Sequence, residues 1–371
     1  MTELAPSPRP SLREAPPLPR IDPVARLPIL ILYPHSRCNC RCLMCDIWRD
    51  RGKAELSAAD VAGWLPEWQA LGVERVVLSG GEALLHSHLW DLCARLREAG
   101  IGITLLSTGL LLARDAARLV QVCDDVVVSL DGPREVHDAI RDVPRAYDRL
   151  AEGVAAVRAA DPRVAVSGRS TVQRANFRFL RETVTAAHEL GLDRLSFLAA
   201  DVTSDAFNRP GGWDAERTGE VALTVDDLPR LAAEIEGLDE ADFASGFLAE
   251  SREKLRRRLL QHFAALVREG DFAPVDCNAP WVSTVVEADG TVRPCFFQPP
   301  LGNLHQAASL GAILNSPEAV AWRRGLDTAS DPVCRRCVCS LSLRGKNDVG
   351  AGLVPARVGA SPAPTKAGEV R

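Results

Sequence analysis

The chain has 371 residues, 46% of them hydrophobic and 25% charged, and a net charge of −5. That length accommodates one barrel-sized domain and a smaller one. The mild acidity, with no basic stripe, excludes nucleic acid as an obligatory partner, and the one early apolar run, LPILILYP, is too short to span a bilayer.

Residues 1–27 are proline-rich, lack an apolar signal core and read as a disordered lead-in, so a cytoplasmic chain is expected. From residue 28 strand and helix alternate. PILILYP is the first strand. SAADVAGWLPEWQALG follows as a helix with Ser57 as N-cap and Gly72 as stop, and Pro66 is expected to kink or split it. ERVVLSGG, IGITLLSTG, DDVVVSLDG, RVAVSGRSTVQ and DRLSFLAADV are the next five strands, each but the last followed by a helical stretch. The nearly continuous apolar strands predict a parallel sheet covered by helices, open or closed into part of a barrel. The strand ends carry Ser79-Gly80-Gly81-Glu82, Ser107-Thr108-Gly109, Ser129, Asp131, Ser170 and Asp201. In such folds the active site gathers at that edge.

Residues 203–276 read as a glycine-rich loop and a helical connector. WVSTVVEADGTVRPCFF then has the alternation of a β-hairpin with its turn at Asp289-Gly290. A cysteine-rich loop, DPVCRRCVCS, closes the folded part, and residues 346–371 read as a second disordered tail.

Eleven cysteines in a chain without a secretion signal point to metal or catalysis rather than disulfides. Cys93 and Cys123 stand apart and read as inert buried thiols. Cys38, Cys42 and Cys45 form C-x3-C-x2-C on the loop after the first strand, with Cys40 as an extra. Three thiolates on one loop hold three irons of a [4Fe–4S] cube and leave the fourth iron open to a ligand. Structural zinc, which wants four closed ligands, is the competing reading.

C-x3-C-x2-C after the first strand, Gly-Gly-Glu after the second and VSLDGPREVHDAIR after the fourth together resemble the radical S-adenosylmethionine superfamily over residues 28–202. The resemblance implies a partial (β/α)6 TIM-type barrel, with Cys38, Cys42 and Cys45 as ligands of a cluster that binds S-adenosylmethionine. It implies that Gly80, Gly81 and Glu82 meet the cofactor's amino group, and that Ser129 with Arg141 or Arg169 meets its carboxylate. The chain departs from the family pattern at Ala83, where proline is usual, and at Met44, where an aromatic residue is common.

Cys277, twelve residues, Gly290, four residues, Cys295, then Cys334 and Cys337 resemble the SPASM extension or its shortened relative, the twitch domain. That implies a small domain of hairpin plus helix over residues 277–345. An auxiliary [4Fe–4S] cluster would be held there by Cys277, Cys295, Cys334 and Cys337, with Cys339 as a spare able to replace Cys337. Zinc held by the same thiolates is the alternative. A closed auxiliary cluster suits electron transfer, so the expected reaction is hydrogen abstraction followed by oxidation of a small molecule. Asp201 is the candidate base, and a flavodoxin or ferredoxin the implied reductant. The 37 residues before Cys38 leave no room for a fused leader-peptide domain, which favours a small molecule over a peptide substrate. A peptide-modifying enzyme is the alternative. A non-enzymatic iron–sulfur or zinc protein, an electron carrier or scaffold, is the third reading.

Overall fold

A computed structural model describes residues 17–268 and 270–344. Nine strands form one open sheet in the order β6-β5-β4-β3-β2-β1-β7-β8-β9. They are β1 (Ile29–Leu32), β2 (Arg75–Leu78), β3 (Gly102–Ser107), β4 (Asp125–Ser129), β5 (Ala165–Val172), β6 (Arg194–Ala199), β7 (Ser283–Val286), β8 (Thr291–Arg293) and β9 (Gly302–Asn303). Every pairing from β6 across to β7 is parallel, and β8 and β9 add antiparallel strands. Sheet and helices together make the expected partial barrel.

Helices α1 (Ala58–Ala70), α2 (Leu89–Glu98), α3 (Leu112–Val122), α4 (Arg134–Arg141), α5 (Ala146–Ala160) and α6 (Leu180–Glu189) connect the first six strands. Period-two alternation divides each strand between two faces. Leu30, Leu32, Val76, Leu78, Ile103, Leu105, Val126, Val128, Val166 and Val172 belong to the large core shared with the helices. Ile29, Ile31, Val77 and Val285 belong to a second core on the inner face, with Val275 and Trp281. Ser129 and Arg169, out of phase with the helix-facing valines, therefore lie on the inner face.

Two expectations need correction. Pro66 does not split α1, which runs unbroken through it. Trp68 is fully buried, and Glu67 accepts the backbone N–H groups of Leu310 and Gly311 at 2.7 Å each. These anchors outweigh the one helical hydrogen bond that proline removes. The C-terminal hairpin extends the same sheet, since β7 pairs in parallel with β1, Ile29 opposite Ser283 and Leu32 opposite Val286. Residues 17–27 are not a loose lead-in. Leu18 donates its N–H to the Leu343 carbonyl at 2.7 Å, Arg20 reaches the Cys277 carbonyl at 2.8 Å, and Asp22 pairs with buried Arg323. Val24 and Leu27 sit in the core. Proline-rich backbone is extended, and polar anchors from the far end of the chain fix it here. Residues 1–16 and the tail expected at 346–371 lie outside the described residues.

Candidate active site

The loop after β1 is clamped from three sides. Glu82 donates its N–H to the Arg37 carbonyl at 3.0 Å. Arg41 and Leu43, on either side of Cys42, donate theirs to the Arg141 and Ile140 carbonyls at the end of α4, both at 3.1 Å. Asp46, just past Cys45, is held by residues of the loop after β6. Its N–H reaches the Phe207 carbonyl at 3.3 Å, its carbonyl accepts from Asn208 at 3.1 Å, and its carboxylate accepts from the Trp213 indole at 2.6 Å.

Within this loop Cys38, Cys40, Cys42 and Cys45 pack together against Leu110 and Ala146. Burial pushes the Cys38 and Cys45 thiols up to about 12. Cys42 is held down at about 6, first by the hydrogen bond from Cys40 and then by the Arg141 guanidinium. Loading metal here therefore expels protons.

Cys277, Cys295, Cys334, Cys337 and Cys339 line a small cavity together with Ile31, Phe296 and Gln298. Cys277 accepts backbone N–H groups from Ala279 and Leu341, and Cys295 from Phe297 and Gln298. Cys334 accepts from the Gln298 amide at 3.4 Å, and Cys337 from the Cys339 N–H at 3.4 Å. Donors aimed at sulfur suit thiolates bound to iron. Among the described residues no group of three or more Cys, His, Asp or Glu converges as a single metal ion requires. A cube makes a different demand, since each thiolate meets its own iron. Both donor sets fit a cluster.

Family models match in the same two places: the Radical SAM superfamily at residues 32–174 and the SPASM iron-sulfur cluster-binding domain at residues 277–338. The chain is a radical S-adenosylmethionine protein. Its C-terminal part is SPASM-like, and its cofactors are S-adenosylmethionine, the [4Fe–4S] cluster that binds it, and auxiliary iron–sulfur.

This radical S-adenosylmethionine chain is 27% identical to an AdoMet-dependent heme synthase of Methanosarcina barkeri over 42% of its length and 45% of the relative's. It is 29% identical to a pre-heme d1 synthase of Dinoroseobacter shibae over 53% and 49%. It thus spans about half the length of those relatives. With a PqqA peptide cyclase of Ruegeria pomeroyi it shares 29% identity over 76% of its own length and 70% of the relative's. The structure of Streptococcus suis SuiB bound to S-adenosylmethionine superposes with a TM-score of 0.59 at 16% identity, covering 85% of this chain and 73% of that one, a likeness of fold.

The residues expected at the cofactor are placed unequally. Gly81 lies against the cluster loop, and Gly80, at φ +95°, packs on the Tyr33 ring. The Glu82 carboxylate is held by its own neighbours. It is fully buried and accepts from Thr108 N–H at 2.7 Å, Thr108 Oγ1 at 2.6 Å, Ser107 Oγ at 3.0 Å and Leu84 N–H at 3.1 Å. It ties the Gly-Gly-Glu turn to the end of β3. Burial nevertheless raises its pKa. Ser129 and Arg169 face each other in register across β4 and β5. The buried Arg141 guanidinium pairs with Asp131 and donates to Cys42 Sγ. Asp201 is not free either. Its carboxylate pairs with Arg209 and accepts from Ser204 Oγ and, at 3.2 Å, from Thr203 N–H. It caps the turn that opens the loop after β6.

That loop is what the sequence reading overlooked. Phe207 and Asn208 both adopt left-handed backbone at φ +60° and +61°, strained for a bulky side chain. Phe207 stacks toward Phe296 and meets Phe297 edge-on, the two residues immediately after Cys295, while Phe296 stacks on Tyr33 at 6.1 Å. A cavity of about 890 Å³ lies among them. Tyr33 and His35 line it from the first cysteine loop, Gly81 from the turn after β2, Phe207 and Arg209 from the loop after β6, and Phe296 and Glu287 from the hairpin. The paired phenylalanines after Cys295 were the available signal. No helix among the described residues is long and apolar enough to cross a membrane.

Proposed function

We propose that the chain is a radical enzyme that modifies a peptide side chain and uses the auxiliary cluster as an electron acceptor. The cavity carries this reading. It is large, it is open to solvent, and it lies between the loop of Cys38, Cys42 and Cys45 and the residues next to Cys295. When bound, S-adenosylmethionine and its cluster supply a carbon-centred radical that removes a hydrogen atom from unactivated carbon. Cys277, Cys295, Cys334 and Cys337 would close the auxiliary cluster, which leaves it electron transfer rather than substrate binding.

The chain's own residues do the rest. Phe207, Phe296 and Phe297 give the cavity an aromatic wall. The Arg293–Glu287 pair at 2.7 Å offers a donor and an acceptor to a peptide group. Ser129 and Arg169 on the inner face are the donors for the cofactor's carboxylate, and Gly80 and Gly81 give backbone access. A flavodoxin or ferredoxin supplies the electron that starts each turnover. The peptide reading replaces the expected small-molecule dehydrogenase because the peptide cyclase likeness extends over three quarters of the chain, against about half for the heme synthases.

The test is anaerobic release of 5′-deoxyadenosine by reconstituted enzyme, stimulated by a low-mass fraction from the producing cells. Peptidase digestion of that fraction should abolish the stimulation. Stimulation that survives digestion would return the substrate to the small-molecule class.

A further inference from the structure

Arg141 ends α4 with its side chain 8% exposed, and its carboxylate partner Asp131 is 0% exposed. Asp131 is itself fixed. Its carboxylate accepts the Thr171 N–H at 2.8 Å, its carbonyl accepts from Asn176 at 3.0 Å, and its N–H donates to His137 Nδ1 at 3.2 Å. The second arm of the guanidinium donates to Cys42 Sγ at 3.4 Å. The sulfurs of Cys38, Cys42 and Cys45 are thus not equivalent. Cys38 accepts the Cys40 N–H and Cys45 the Ile47 N–H, both neutral backbone donors, whereas Cys42 accepts from a buried cation.

We propose that Arg141, oriented by Asp131, is a positioning residue that sets the reduction potential of the cluster held by Cys38, Cys42 and Cys45. The inference rests on the reading of those cysteines as its ligands. Reduction adds one electron to the cluster and makes its sulfurs more negative. A charge-assisted N–H···S bond stabilises that state more than the oxidised one, and hydrogen bonds to sulfur are among the determinants of cluster potential. Arg141 therefore raises the potential, while Asp131 limits the rise by neutralising most of the guanidinium charge. α4 also carries the carbonyls that receive Arg41 and Leu43, so loop and guanidinium are held as one body.

The experiment is an EPR-monitored redox titration of the full reconstituted chain, following the signal that responds to added S-adenosylmethionine. Arg141→Met should lower the midpoint by at least a tenfold change in the reduction equilibrium, ~59 mV for one electron. Asp131→Asn, which leaves the guanidinium uncompensated, should raise it. A structural role alone would not move the two variants in opposite directions. An Arg141→Met chain with wild-type iron and a wild-type midpoint overturns the proposal. If that variant does not retain iron, Asp131→Asn decides, and an unchanged or lowered midpoint overturns it. A wild-type chain with no signal responsive to S-adenosylmethionine shows instead that the cofactor reading has failed, and the proposal with it.

Discussion

A methyl group on Gly81 would lie 2.0 Å from the Arg37 carbonyl oxygen and 3.1 Å from the Cys38 Cβ. The turn after β2 and the cysteine loop after β1 are therefore in backbone contact, and only glycine permits it. Gly81→Ala must displace one of them. Overpacking of this kind costs about 1–3 kcal/mol, and here the strain falls on the first ligand of the cluster. Reconstituted Gly81→Ala should retain about four irons fewer than the wild-type chain, one cube's worth, and iron and sulfide analysis checks this. Wild-type iron content would mean that the loop yields without cost.

Asp201 and Arg209 form an ion pair with side chains 5% and 0% exposed. Removing one partner of such a pair costs roughly 3–5 kcal/mol, because the other charge is left buried alone. Asp201→Asn should therefore lower the denaturation midpoint and loosen the loop that carries Phe207, while the pH profile of turnover keeps its shape. Unchanged stability with a lost acid limb would restore Asp201 as the catalytic base.

What was legible in the sequence was local. Cys38, Cys42 and Cys45 share one loop, so spacing alone grouped them, and the apolar strands announced a parallel sheet before any pairing was known. What stayed hidden depends on partners far along the chain. The parallel pairing of β7 with β1 joins residues some 250 positions apart, and Leu18 meets Leu343. The sequence placed Arg141 near the cofactor, but which group it faces depends on how α4 docks. The partners of the Glu82 carboxylate were hidden for the same reason. The motif shows a carboxylate at the right turn, and only packing shows that Thr108 and Ser107 occupy it.

Burial holds His137 down to about 3 and His262 to about 4. Both are neutral in the fold well below the ~6.5 of an unfolded histidine. Between those limits the unfolded state binds more protons, so stability present above pH ~6.5 is lost as the pH falls toward the folded values. Each histidine should contribute about 2 kcal/mol of loss between pH 7 and pH 5. Urea denaturation of the metal-free chain at the two pH values measures the total. His137→Asn, which keeps an acceptor for the Asp131 N–H, should reduce the difference by one histidine's share. An undiminished difference would show that His137 does not stay neutral in the fold.

Cys337 and Cys339 both line the auxiliary cavity, but they stand in different relations to it. Cys339 gives its backbone N–H to the Cys337 sulfur, as a residue supporting a ligand does. Cys337 also closes the short 3-10 turn that begins at Cys334, its N–H bonded to the Cys334 carbonyl at 3.0 Å, so the two sulfurs are carried by one rigid turn. Cys339→Ala keeps that backbone N–H and should retain the auxiliary iron. Cys337→Ala should lose it, about four irons in a chain whose first cluster is intact. The reverse pattern would assign the fourth ligand to Cys339. Equal retention by both single variants, with loss only in the double variant, would mean that either thiol can complete the cluster.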